Sequence, residues 1–374
     1  MMSNANVRST SFNHRASRHL CTRDVEIILE HQHVNGAYPA SPTFPPYRYA
    51  WFRDGAFIAY AMDMAGQHES ARRFHAWAVE VILRHGEKAR RAVTKAHAGQ
   101  PLGADYLHAR YTLEGEEVGD DWPNFQLDGF GTWLWALGEH VRRTGFTLPL
   151  RWQEAVILVA DYLAALWRVP CYDLWEENGA HVHAYTLAAL YAGLGSAKML
   201  TGRTWADEVR KIRNTLLMSS VPTGYFSKVL PPSRERPLES QIDASLVAIS
   251  VPYAVVPLHS PRMRRTVMYI EKLLWRPGGG VYRYIGDRYY GGGEWILLAA
   301  WLGWYYVNLR EHKKAQILLR WIEHHADAYG YLPEQVTDHV QYPAYRLLWE
   351  QRWGPAARPL LWSHAMHLVL CMLL

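Results

Sequence analysis

The stretch Cys171-Tyr172-Asp173-Leu174-Trp175-Glu176-Glu177-Asn178-Gly179 sets two adjacent carboxylates beside an indole, between two segments of helical periodicity. A carboxyl that keeps its proton near neutral pH can protonate the leaving oxygen of an acetal, which is the chemistry of glycosidic cleavage. An aromatic wall removes water and raises a carboxyl's pKa, and a second negative charge next door raises it further. Trp175, Glu176 and Glu177 supply both conditions in three consecutive residues. The plainer reading is that an acidic pair at a helix start complements the helix dipole. Acid catalysis also needs a base. Glu334, in Gly330-Tyr331-Leu332-Pro333-Glu334-Gln335, is the carboxylate of its loop that stands beside an apolar cluster. It is the candidate general base, against the plainer reading of an exposed loop glutamate. In that pairing the acid is expected to be raised in pKa and the base to stay ionised.

Other segments could grip a polyhydroxylated ligand. Tyr47-Arg48-Tyr49-Ala50-Trp51-Phe52-Arg53-Asp54-Gly55 places an Arg and an Asp side by side, one donating in a planar fork and the other accepting. Tyr47 and Trp51 could stack on a sugar face; alternatively Asp54 caps a helix and Arg53 is surface. Trp122-Pro123-Asn124-Phe125-Gln126-Leu127-Asp128-Gly129 offers Gln126 and Asp128 to hydroxyls, although Asp128 equally suits a helix start. Asp243, in Gln241-Ile242-Asp243, reads as a helix-start residue rather than a ligand. Arg283 is the expected substrate contact in a loop that also carries Gly278-Gly279-Gly280 and Gly291-Gly292-Gly293. These glycine runs do not have the spacing of a nucleotide-binding loop and follow no strand.

The remaining chemistry is thin. The close pairs among the 19 histidines, His31/His33, His181/His183, His324/His325 and His364/His367, form no zincin motif and come with no cysteines at zinc spacing. No metal and no cofactor is expected. A nucleophilic-serine elbow is absent from the sequence. The formal charge of +5 is mild for 374 residues and its arginines are scattered, so no nucleic-acid partner is expected. No apolar run reaches the roughly 18 residues of a membrane span. Three distant cysteines, Cys21, Cys171 and Cys371, argue against a disulfide framework and for a reducing, cytoplasmic setting. The 17 Trp and 23 Tyr suit stacking on sugar rings, although an all-helical core could also absorb them.

The elements that must position these residues are helical. Ile58, Ala61, Met62 and Ala65 share one face, as do Ala155, Leu158, Val159, Tyr162, Leu163 and Leu166. The pattern recurs in Trp295, Leu298, Ala299 and Leu302, and again in Leu361, Ala365, Leu368 and Met372. About twelve helices follow: near 23–33, 54–66, 69–92, 127–145, 150–169, 182–201, 204–219, 240–250, 260–275, 294–311, 312–327 and 359–373. Short links after alternate helices contrast with long ones over about 34–53, 93–126, 170–181, 220–239, 276–293 and 328–358. Alternation of that kind winds hairpins whose long loops share one end, where function concentrates. The expected fold is all-α, a toroid of helical hairpins. Residues 1–20 read as a loosely held polar leader and 21–374 as one domain.

In this order the motifs resemble glycoside hydrolase family 15, the glucoamylase family: Trp51-x-Arg53-Asp54, Gln126-x-Asp128-Gly129, Asp173-Leu174-Trp175-Glu176-Glu177, Gln241-x-Asp243, Arg283-Tyr284 with Asp287 and Tyr289-Tyr290, Glu334-Gln335, and Trp362-Ser363-His364-Ala365. The resemblance implies an (α/α)6 barrel and an inverting exo-hydrolase that releases β-glucose from non-reducing ends of α-glucosides. It makes Glu176 the acid and Glu334 the base. Arg53 and Asp54 would grip the terminal glucose, and Tyr47 would sit against the developing oxocarbenium charge. Trp122, Trp175, Glu177 and Arg283 would line the first two sugar sites. No β-sandwich is expected ahead of the barrel and no starch-binding module after it. That pattern is similar to catalytic-domain-only bacterial members such as isomaltose glucohydrolases, acting on short oligosaccharides of α-1,6 or α-1,4 linkage. Glu294 before Trp295 departs from the family pattern and is expected to bear on how the second sugar is held. The alternatives are a trehalase of the same family and a non-catalytic sugar-binding toroid.

Overall fold

A computed structural model describes residues 19–232 and 235–374. The polar leader expected over 1–20 lies, apart from its last two residues, outside the described residues. Thirteen α-helices are seen among the described residues. Helix α1 covers 19–31. It is followed by α2 (Phe52–Met64), α3 (His68–Arg84), α4 (Gly86–His97), α5 (Asp128–Thr144), α6 (Leu150–Leu166), α7 (Ala184–Thr201) and α8 (Ala206–Ser219). A 3-10 segment, Ala244–Ile249, precedes α9 (Pro261–Leu273), α10 (Ile296–Asn308), α11 (His312–His324), α12 (Pro343–Trp353) and α13 (Leu361–Leu373).

An inner ring closes in the order α2, α5, α7, the 3-10 segment, α10, α13 and back to α2. These elements are apolar almost all round: every residue of α2 except its last is buried, as is every residue of α10 from Ile296 to Tyr306. A helix without a polar face must be enclosed. The outer layer, with α3, α6, α8, α9 and α11, buries one stripe and solvates the other. Neighbouring inner helices approach closely where side chains are missing. A Cβ on Gly131 of α5 would stand 2.7 Å from the Ala189 carbonyl carbon of α7, and one on Gly193 would stand 2.5 Å from the Gly131 oxygen. Glycine is needed at both positions because backbone meets backbone.

Four expectations are corrected. The helix expected over 69–92 breaks at His85, and Gly86 starts a second helix. The helix expected over 240–250 shrinks to a 3-10 turn whose start is capped by Asp243, with Pro252 limiting its extension. The loop expected over 328–358 contains a whole helix, α12. A bridge also joins Cys21 of α1 to Cys371 of α13, with Cα atoms 6.6 Å apart although 350 positions separate them in sequence, leaving Cys171 free and buried. The ring brings the two ends of the chain together, which spacing along the sequence cannot reveal. The cysteine count is therefore withdrawn as a ground for a reducing compartment. No described helix is long and apolar enough to cross a membrane.

The long loops gather at the N-terminal ends of the inner helices and are stitched into a rim by backbone hydrogen bonds. Ala50–Trp51 pairs with Arg110–Tyr111, Val182–His183 with Val229–Leu230, and Glu294–Trp295 with Gln335–Val336. Single contacts complete the circle: Tyr172 N–H donates to the Phe125 carbonyl at 3.0 Å, and Leu361 N–H to that of Ala40 at 2.9 Å. Asp243 bridges to Tyr284. The loops are thus ordered walls.

Candidate active site

The rim encloses a cavity of about 770 Å³, lined by Tyr47, Trp51, Arg53, Asp54, Trp122, Trp175, Glu176, Glu177, Arg283 and Glu334 together with further aromatics. Glu176 and Glu334, from loops 158 positions apart in the sequence (334 − 176), therefore reach one chamber.

Glu176 is aimed by a knotted turn. The Asp173 carboxylate accepts from the backbone N–H of Trp175 and of Glu177, each at 2.9 Å, and from the Asn178 amide at 2.9 Å. His183 donates from Nε2 to the Cys171 carbonyl at 2.9 Å, tying the turn to the start of α7. Within the turn Glu176 has φ +67° and Asn178 φ +56°. A left-handed non-glycine residue costs on the order of 1 kcal/mol or more and persists where its surroundings over-determine it. Here the result is a carboxylate turned inward: Glu176 Oε1 accepts from Trp51 Nε1 at 2.7 Å and from Gln126 Nε2 at 3.2 Å. The Trp175 indole donates to Asp243 at 2.9 Å, so the helix-start residue also fixes the cavity wall.

Glu334 sits deeper, 2% exposed. Its segment is pinned from α13, where Ser363 donates to the Pro333 carbonyl at 2.7 Å and His364 Nε2 accepts from Leu332 N–H at 3.0 Å. Asp24 of α1 in turn accepts from His364 Nδ1 at 2.7 Å. Tyr47 donates to Glu334 Oε1 at 2.9 Å and shares a 2.6 Å hydroxyl contact with Tyr289, while Glu334 Oε2 is buried without a partner in the protein. Burial pushes the Glu334 carboxyl up to about 7, against the Tyr47 hydroxyl and the Arg283 charge, which pull it down. The expectation that the base simply stays ionised is corrected: burial raises its carboxyl into the neutral range. Burial likewise lifts Asp54 to about 7 against the Arg53 charge.

Arg53 and Asp54 open α2 but cap nothing; they line the cavity, where Arg53 Nε and Asp54 Oδ2 form an ion pair at 3.5 Å and neither atom makes a hydrogen bond. Gln126 and Asp128, expected to bind hydroxyls, stand behind this wall. Both are buried, and both accept from Arg53 Nη1, at 2.8 and 3.2 Å. Proximity in the motif carried them into the ligand set; the structure makes them supports for Arg53 and Glu176. Arg283 is clamped by Asp287 at 2.7 and 2.6 Å and reaches Glu177 at 3.4 Å, with Trp175 and Trp295 about its guanidinium. Tyr284 donates a short hydrogen bond to Glu177. Glu294 is not on the cavity wall; it is buried against Gly280 and within 3.4 Å of His339, so the expected effect on the second sugar does not arise from direct contact.

The sequence reading missed part of the site. Arg110, 1% exposed, is stacked 3.9 Å from Trp122 and 4.5 Å from Tyr49 and paired with Asp120, so it holds the aromatic wall together. Trp349, Arg352 and Trp353 of α12 line the mouth, with Trp353 against Trp122 at 6.3 Å. The one signal for them is a pair of tryptophans four positions apart, beside Arg352, in the expected loop.

A closed double layer of helices, with paired carboxylates and partnerless polar atoms in an aromatic chamber, defines a glycoside hydrolase of the (α/α)6 type. The chain belongs to glycosyl hydrolases family 15, whose family model matches residues 18–318. It is 40% identical over 353 residues to the isomaltose glucohydrolase of Kribbella flavida, covering 92% of this chain and 89% of that protein. A solved glycosidase variant in complex with glucose superposes with a TM-score of 0.90 at 38% identity, over 96% of this chain and 97% of the other. A bacterial glucoamylase complexed with acarbose shares the fold, with a TM-score of 0.71 at 19% identity over 94% of this chain and 55% of the other.

Proposed function

We propose that the chain is an inverting, exo-acting α-glucosidase that releases β-glucose from the non-reducing end of short α-gluco-oligosaccharides, with isomaltose the first substrate to test. Glu176 donates its proton to the bridging oxygen. Glu334 takes a proton from water through the free Oε2 while Tyr47 steadies Oε1. Inversion requires the two carboxyls to leave room for that water, about 6.5–9.5 Å apart. Each contributes on the order of 10²–10⁴-fold. Arg53 Nε and Asp54 Oδ2 engage hydroxyls of the terminal glucose; Trp122, Trp175, Glu177 and Arg283 line the sites for the first two sugars.

The observation that carries this reading is a buried carboxylate oxygen of Glu334 without a protein partner on the same chamber as Glu176. The size of that chamber and α12 at its mouth favour short substrates, and the identity with an isomaltose glucohydrolase favours the α-1,6 linkage. The test is turnover of isomaltose, maltose, trehalose and soluble starch side by side. Isomaltose is expected to have the highest kcat/KM. Preference for trehalose would transfer the chain to the trehalases, and glucose binding without turnover of any substrate would make it a sugar-binding toroid.

A further inference from the structure

At the opposite end of the barrel, nine residues and roughly 14 Å along α2 from Asp54, lies a second cluster of chemical groups. Asp63 in the last turn of α2, His75 of α3 and His140 of α5 each offer a donor atom, and these atoms all lie within 4.8 Å of one another. All three are essentially buried. His140 Nδ1 is 2.9 Å from Asp63 Oδ2, and the half-exposed His68 places Nδ1 2.9 Å from Asp63 Oδ1. His75 has no exposure, and neither of its ring nitrogens has a partner; His140 Nε2 also has none. Phe74 and Phe146 close the sides, with ring centroids 5.6 Å from His75 and 5.7 Å from His140.

A buried imidazole with two unmet nitrogens is costly, because each forfeits its bonds to water. Hydrogen bonding explains His68, Asp63 and His140, but it leaves His75 without a role beside them. Two imidazoles and a carboxylate form a donor set for a divalent first-row transition ion, and zinc in particular takes such ligands at about 2.0–2.2 Å in a tetrahedron. We infer that Asp63, His75 and His140 bind a structural zinc-type ion that ties α2, α3 and α5 together at the closed end of the barrel. The ion replaces the proton shared by His140 Nδ1 and Asp63 Oδ2, and His140 carries its hydrogen on Nε2 instead. His68 either keeps Asp63 Oδ1 oriented, in the manner of a group behind a metal ligand, or swings in as fourth donor. Its partial exposure gives the ion a way in from solvent. None of the close histidine pairs in the sequence is part of this cluster: His364 and His367 both bond Asp24, and His183 bonds backbone.

The test uses the full chain purified from zinc-supplemented cells, in wild-type form and as His75→Gln and His140→Gln. Elemental analysis of the wild type is expected to find about one zinc per chain, lost in both variants. Chelation should lower the wild-type melting temperature and added zinc should restore it, with neither shift in His75→Gln. Cobalt exchange should give a tetrahedral visible spectrum that His75→Gln abolishes. Circular dichroism separates loss of the ion from loss of the fold, and the wild-type measurements stand without either variant. Zinc-free wild type with no melting shift overturns the inference. A zinc or cobalt signal that persists in both variants also overturns it, placing the ion elsewhere.

Discussion

Tyr47→Phe isolates the proton chemistry of Glu334. The lost hydrogen bond is 2.9 Å long and buried, and burial together with the Glu334 charge holds the Tyr47 phenol well above its usual range, so it remains a donor. A hydrogen bond to a charged group is worth about 1.5–3 kcal/mol, and 1.36 kcal/mol corresponds to one pKa unit. Removing it should raise the Glu334 carboxyl by about 1–2 units from its value of about 7. The sign is fixed: a base must be ionised, so activity rises with pH through this pKa, and the variant's rise must lie at higher pH. At pH 7 the ionised fraction falls from about a half to roughly a tenth or less. The assay is kcat/KM on the best disaccharide across the pH range, since that ratio reports the free enzyme. A variant whose acid limb stays in place, with a change in height alone, would refute the assignment of Tyr47 as the donor that tunes the base.

Glu334→Gln should be inactive yet more stable than wild type in alkali. A carboxyl held at about 7 against 4.5 unfolded favours the fold below the lower value and loses that contribution as pH rises through the upper. By pH 8 the amide should gain up to about 3 kcal/mol over wild type, shrinking toward zero near pH 4; chemical denaturation at both pH values checks it, and an equal difference at both would contradict it. Gln126→Leu removes the acceptor for Arg53 and a donor to Glu176 without touching the cavity surface. A loss of kcat/KM of about 10–100-fold is expected, and near-wild-type kinetics would show that these bonds position nothing. Replacing Cys21 with Ser opens a closure spanning 350 positions, for which chain entropy sets an upper bound of about 5–6 kcal/mol; an unchanged melting temperature in non-reducing buffer would mean the bridge contributes nothing to the fold.

Much of the barrel was legible because its cause is local. Helical periodicity and the alternation of short and long links follow from residues near each other in sequence, and they locate the inner ring and the loop end. The 3-10 segment after Asp243 was misread because its apolar run has the composition of a helix, while Pro252 and the Asp243 cap restrict its length. Helix α12 was missed because its tryptophans turn to the cavity while Leu347 and Leu348 remain exposed, which leaves no clean apolar period. Among site residues, Glu176 could be found from the indole and carboxylate beside it. Gln126 and Asp128 could not be separated from true ligands, since a motif records proximity and not which side of a wall a residue occupies. Arg110, the Cys21–Cys371 bridge and the Asp63–His75–His140 cluster depend on ring closure and have no local sign at all.

The claim that Glu176 and Glu334 act from opposite sides of one acetal carbon is tested most directly by the anomer of the first product. Proton NMR of a disaccharide digest, recorded before mutarotation, should show the β-glucose signal appearing first. Initial release of α-glucose would contradict it, because water activated by Glu334 on the far face cannot give that product.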